Sequence, residues 1–250
     1  MTAQRSSVAA LWRLLRASVH VARGLWIIRT RFGRLSEAQR NEHVRAWSNQ
    51  VLEIFGVDLV VSGEPCAHGP ALVVANHVSW LDILVMNAAQ PSRFVSKADV
   101  KHWPLLGSLI TGAGTLYIER ESRRDAMRVV HHVAERLRAS DLITIFPEGT
   151  TSDGRELLPF HANLFQAAIA ADAPVVPVTL VFRHADTGEW HNAPTYIGDT
   201  TLMGSIWATL RATDVQAVLK YGPAQGAAGR DRRTWAREVR ESIAQTLRAR

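Results

Sequence analysis

The stretch "ALVVANHVSWLDILVMNAA", residues 71–89, decides the fold. Ala71–Ala75 is a short apolar run rich in valine, the composition of a buried strand. From Ser79 onward the pattern is that of a helix. At the turn between them stand Asn76 and His77, and Asp82 follows five residues after the histidine. A titratable ring at the end of a buried strand has no use in a core. Strand-to-helix turns are where α/β folds commonly carry their sites. An aspartate one turn into the helix can reach back to the imidazole. There it would fix the tautomer and stabilise the imidazolium formed when the ring takes up a proton.

The same rhythm continues outward. From residue 57, β-rich runs alternate with helical patterns: "DLVVSG", "ALVVAN", "RFVSK", "TLYIE", "LITIF", "VVPVTLVF" and "VQAVLKYG". Helices are expected near 80–90, 104–112, 123–139, 160–171, 201–211 and 231–248, with a linker at 222–230. The fold class this predicts is α/β, a mixed, largely parallel sheet flanked by helices. No repeat or low-complexity segment interrupts it.

Before this alternation come two helical segments. Residues 8–28 form an amphipathic pattern in which Arg13, Arg16, His20 and Arg23 fall on one narrow stripe at 100° per residue. Leucines, Val19, Trp26 and Ile28 cover the other side. Such a helix can lie in a lipid interface with its arginines toward headgroups. Ser36 and Gln39 have capping-box spacing, so a second helix should run to about Phe55. The chain is thus read as residues 1–55, an N-terminal helical membrane-association segment, and residues 56–250, the main domain.

Composition narrows the partners. The 250 residues carry a formal charge of +6, which suits an anionic surface. The arginines of 230–250 could serve nucleic acid, yet no nucleic-acid motif is present and the aromatics do not interleave with the basic residues, so no nucleic-acid partner is expected. A non-catalytic module binding anionic membrane is the other rival, and it requires His77 to be dispensable. One cysteine, Cys66, excludes an internal disulfide and a Cys-based zinc site. No uninterrupted apolar run reaches 18 residues, so no ordinary transmembrane helix is expected. Arg13 and Arg16 break the segment where a signal peptide needs an uncharged core.

The group that His77 would deprotonate is open at this level. Ser79 is one choice, which would make a hydrolase, but no G-x-S-x-G elbow exists and Ser79 also suits a helix cap. The hydroxyl of a bound substrate is the better choice. Three further stretches add chemistry. "FPEGTTSDG", 146–154, turns tightly after a strand, and Gly149, Thr150, Thr151 and Ser152 offer amides and hydroxyls to an anionic group. Glu148 would repel a phosphate there, so it is expected to contact substrate hydroxyls or a neighbouring arginine. "GAGTLYIER", 112–120, runs a strand into Arg120, a side chain suited to forking onto phosphate. "APVVPVTL", 173–180, is a buried strand with two prolines at its start or edge. His131 and His132 are adjacent on one helix, a poor metal pair, and read as surface residues.

In this order the four stretches resemble the glycerolipid acyltransferase family that includes 1-acylglycerol-3-phosphate acyltransferases. The resemblance rests on Asn76–His77 with Asp82, Gly114 to Arg120, Phe146 to Gly149 and Val176 to Val178, and extends over about 57–220. It implies that His77 is the general base on an acceptor hydroxyl, held by Asp82. The oxygen would attack the thioester of an acyl-CoA or acyl-carrier protein directly. Arg120, Glu148 and Gly149 would map onto acceptor-headgroup elements, and Lys97 onto a further basic position. No metal or redox cofactor is implied. The acceptor would be a lysophospholipid, with lysophosphatidate first, met at the cytoplasmic face of the cell membrane by a peripheral protein. Tyr117 and Glu119 replace the more usual Phe and Asp. Thr151 stands where phosphatidate-forming members often carry Arg, and His161 replaces a frequent Lys. These lost cations leave room for another headgroup, such as that of lyso-ornithine lipid.

Overall fold

The computed structural model describes residues 4–66, 68–102, 106–118 and 123–249. Seven strands form one sheet in the order β1-β7-β6-β2-β5-β3-β4. They are β1 (Val57–Ser62), β2 (Ala71–Ala75), β3 (Arg93–Lys97), β4 (Leu116–Ile118), β5 (Leu142–Ile145), β6 (Val175–His184) and β7 (Val215–Tyr221). Neighbours are parallel except β6 and β7, which run antiparallel. The sheet is thus mixed and largely parallel, as expected.

Strand β2 lies between β5 and β6, and every one of its residues is buried. Its side chains divide between the two faces by simple alternation. Ala71, Val73 and Ala75 join one core cluster, and Leu72 and Val74 join another. The first is completed by residues of α1 (Ser7–Thr30), α2 (Glu37–Phe55), α3 (Asp82–Ala89) and α7 (Leu202–Arg211). The second draws on α5 (Arg123–Arg138), α6 (Phe165–Ala171) and α8 (Arg232–Arg248). A short helix, α4 (Leu106–Gly112), packs near α1. Burial on both faces explains why β2 reads as a continuous apolar run rather than an alternating one.

The local signals in the N-terminal pair act as expected. Ser36 and Gln39 form the capping box, with Ser36 N donating to Gln39 Oε1 at 2.9 Å. Gly56, at φ 66°, ends α2 in the left-handed region where a β-carbon is disfavoured. The orientation of α1 corrects the expected division of its faces. The basic stripe is split. His20 is buried, stacked on Trp47 with ring centroids 5.1 Å apart, and Arg13 donates to the Ile54 carbonyl at 2.9 Å. Arg16 and Arg23 remain exposed. The apolar arc is split as well. Ala10 and Leu25 are buried, while Val8, Leu11, Trp12, Leu15, Val19 and Trp26 are all more than half exposed. The arc is wider than one contact, and the surface left over faces away from the protein. Among the described residues no helix is long and apolar enough to cross a membrane.

Candidate active site

Strands β2 to β6 point the same way, so the residues after β2, β5 and β3 meet along one edge of the sheet. Asn76 leaves β2 but keeps its place in the ladder. Its side chain donates to Leu180 O at 2.9 Å and accepts from Leu180 N at 2.8 Å. Both bonds are buried, where an unmade one costs about 1–3 kcal/mol. Asn76 thereby fixes where the chain departs, and His77 follows it.

His77 is held on four sides. Its Nδ1 lies 2.7 Å from Asp82 Oδ2. The same oxygen accepts from Val78 N at 2.7 Å and Ser79 N at 2.9 Å. An atom already receiving two amide protons is an acceptor, so Nδ1 carries the ring proton and the lone pair is on Nε2. Nε2 makes no hydrogen bond among the described residues. The ring stacks on Phe146, with centroids 4.2 Å apart and planes 10° from parallel. The backbone is pinned as well. His77 N donates to Glu148 Oε1 at 2.8 Å, and His77 O accepts from Ser152 N at 2.8 Å. Asp82 is fully buried, whereas the His77 side chain keeps 20% of its surface open. A base needs this combination, a fixed ring with one free nitrogen facing solvent or substrate.

The helix that carries Asp82 begins at Asp82 itself, two residues later than expected. Ser79 is not its cap. The Ser79 hydroxyl is buried and donates to Pro194 O, and it accepts from Leu81 N at 3.2 Å. A serine so engaged is a poor nucleophile, and the hydrolase alternative loses its candidate. Burial also pushes the Cys66 thiol up, away from the reactive thiolate.

The 146–154 loop is tied to His77 through Glu148. Glu148 is only 4% exposed. Its Oε1 takes the His77 amide, and its Oε2 takes the Leu158 amide at 2.9 Å. Burial pushes its carboxyl up, and those two amides pull it back down. Among the described residues the carboxylate meets backbone amides rather than an arginine, because two orphan amides need an acceptor. Gly149 adopts φ 71°, which the tight turn requires, and its amide closes the turn onto Phe146 O at 3.1 Å. Thr150 is exposed, and the Thr150 and Thr151 amides make no hydrogen bond among the described residues. The Thr151 hydroxyl donates to Tyr196 O.

Lys97 ends β3 on the same sheet edge but is exposed. It shares a face with Val95, which packs on the second cluster, whereas Phe94 and Phe146 pack on the first. Lys97 therefore leaves the sheet on the face opposite the Phe146 ring that His77 covers. Arg120 and Glu119 lie outside the described residues. His131 and His132 are exposed, and both approach Glu135, at 3.2 and 3.8 Å. The roles that sequence reading missed are those of the Phe146 ring and of the Ser152 and Leu158 amides. Their signal was weak, since each acts through a ring face or backbone rather than through reactive chemistry.

An acyltransferase family model matches residues 58–181, which hold both His77 and Glu148. A 1-acyl-sn-glycerol-3-phosphate acyltransferase of Neisseria gonorrhoeae is 42% identical over 170 residues, covering 67% of this chain and 66% of that protein. The match thus spans about two thirds of that relative's length. A lyso-ornithine lipid O-acyltransferase of Pseudomonas aeruginosa is 36% identical over 208 residues, 82% of this chain and 78% of that one. The crystal structure of the 1-acyl-sn-glycerophosphate (LPA) acyltransferase of Thermotoga maritima superposes with TM-score 0.74 at 19% identity, covering 97% of this chain and 94% of that one. That likeness shows a shared fold. With the motif order, the sheet and the long match at 36% identity in agreement, the chain belongs to the acyltransferase family.

Proposed function

We propose that this protein transfers an acyl group from an acyl-CoA or acyl-carrier-protein thioester to the free hydroxyl of a lysophospholipid, with 1-acylglycerol-3-phosphate as acceptor and phosphatidate as product. The observation that carries the reading is the His77–Asp82 contact at 2.7 Å with Nε2 left free. The acceptor hydroxyl gives its proton to Nε2 as its oxygen attacks the thioester carbonyl. The tetrahedral oxyanion collapses, the C–S bond breaks, and the departing thiolate takes the proton from the imidazolium. Ester and free thiol result, with His77 restored. Asp82 stabilises the imidazolium throughout. The Thr150 and Thr151 amides are unengaged donors within three residues of Glu148, and we assign them to the oxyanion. Thr150 and Gly149 border the acceptor. Arg120 is kept as the cation for its headgroup, and Lys97 as a more distant one.

A peripheral position at the cytoplasmic face of the cell membrane belongs to the same reading. Its support is the outward face of α1, where Val8, Trp12, Leu15, Val19 and Trp26 are exposed beside Arg16 and Arg23. An exposed apolar stripe edged by arginine suits an anionic lipid interface.

A second acceptor, lyso-ornithine lipid, is favoured by a specific observation. By the family resemblance Thr151 stands where phosphatidate-forming members often carry Arg, and its hydroxyl is turned to Tyr196 O. The long match to the Pseudomonas lyso-ornithine lipid O-acyltransferase points the same way. One experiment separates the readings. Oleoyl transfer from oleoyl-CoA and from oleoyl-acyl-carrier protein is measured on lyso-lipids presented in anionic vesicles, with Val19→Glu beside the wild type. Fastest transfer to lysophosphatidate, lost with vesicle binding in Val19→Glu, is the expected result. Transfer confined to lyso-ornithine lipid would make that the substrate. No transfer to any acceptor from either donor would overturn the enzymatic reading, and full vesicle binding by Val19→Glu would overturn the role of α1.

A further inference from the structure

We propose that Arg240, on the C-terminal helix α8, is a positioning residue for the reaction, bracing the turn that fixes His77. The proposal rests on the reading of His77 as the base. Arg240 Nε donates to Leu158 O at 2.9 Å, and its Nη2 donates to Leu157 O. The guanidinium fork thus grips two successive carbonyls, a geometry that a lysine cannot reproduce. The gripped peptide is anchored on its other side. Leu157 is 6% exposed and packs in the second core cluster with Val239, Ile243 and Leu247 of α8.

The consequence lies at the next amide. Leu158 N donates to Glu148 Oε2 at 2.9 Å, and Glu148 Oε1 accepts from His77 N at 2.8 Å. A continuous run of hydrogen bonds therefore joins α8 to the backbone of His77, across 163 residues of sequence (240 − 77). Glu148 is buried, so an oxygen deprived of its amide cannot turn to water without moving. Releasing the Leu157–Leu158 peptide frees Oε2. The carboxylate then shifts, and the His77 amide shifts with it. Displacements of about 1 Å at a reacting group cost on the order of 10²-fold in rate. Arg240 also lines a cavity of about 710 Å³ with Arg155, Ala244 and Arg248. A direct role in binding an anionic substrate is thus the alternative that the test must separate.

The test compares wild type, Arg240→Met, Arg240→Lys and Arg237→Met, the last on the exposed side of the same helix. Steady-state acyl transfer and hydrogen exchange at the His77 and Leu158 amides are the readouts. For Arg240→Met the expected result is a kcat lowered about 10-fold with KM for both substrates retained. Protection of both amides should fall with it. Arg240→Lys should lie between Arg240→Met and wild type, and it carries the test if Arg240→Met does not fold. Arg237→Met should match wild type. Unchanged amide protection in folded Arg240→Met or Arg240→Lys would overturn the brace, whatever the enzyme's substrate. A raised KM with kcat intact would overturn it in favour of substrate binding by Arg240. Loss of transfer in the wild type itself would instead refute the acyltransferase reading, with the exchange data still deciding the brace.

Discussion

His77→Ala is expected to lower kcat for acyl transfer by about 10²–10⁴-fold, the usual contribution of a positioned base. The KM for the lyso-lipid should change little, because on the proposed reading the ring meets the reacting hydroxyl and not the chain or headgroup. Among the described residues, neither Ser79 nor Cys66 is suited to substitute. Ser79 is buried against Pro194 O, and burial holds the Cys66 thiol protonated. The fold should survive the change, since the backbone of His77 is held by Glu148 and Ser152 independently of its side chain. Steady-state rates with circular dichroism on both proteins check this. Wild-type turnover in a folded His77→Ala protein would overturn His77 as the base.

The second large effect is at Asp82, and there the two obvious variants should differ. Three donors converge on one carboxylate oxygen, Oδ2, at 2.7, 2.7 and 2.9 Å. In Asp82→Asn the amide oxygen can occupy that point and accept all three. The tautomer and orientation of His77 are then kept, and what is lost is the negative charge that stabilises the imidazolium. A fall of about 10²-fold in kcat is expected, close to 2.7 kcal/mol of barrier. Asp82→Ala removes the acceptor altogether and leaves buried amides unpaired. It should cost on the order of 10³–10⁴-fold in kcat and about 1–3 kcal/mol of stability for each unpaired group. Kinetics paired with denaturant unfolding measure both. Equal activity losses in the two variants would show that charge contributes nearly everything and geometry little.

The sheet was legible because its signals are local. Valine-rich runs, the Ser36–Gln39 box and the spacing of His77 and Asp82 each act within a few residues. The placement of Glu148 was not legible. Its partner is the backbone of His77, 71 residues away, and backbone amides leave no mark in a sequence. The same holds for Asn76, which reads as the end of a strand and acts as a side-chain rung to Leu180. For α1, periodicity located the apolar arc but could not choose which part faces inward. That choice is made by Trp47, which draws His20 into the protein and turns Trp12 and Val19 outward. Lys97 ends β3 at the right edge of the sheet, but strand alternation, which depends on the final register, carries it to the face opposite Phe146.

On the proposed reading transfer is direct, with His77 as base and no acyl-enzyme. Its most direct test is rapid mixing of wild-type protein with excess oleoyl-CoA in the absence of any lyso-lipid, following release of free CoA thiol. The account predicts no burst, with thiol appearing in proportion to product only once acceptor is added. A burst equal to the enzyme concentration would reveal a covalent intermediate and contradict it.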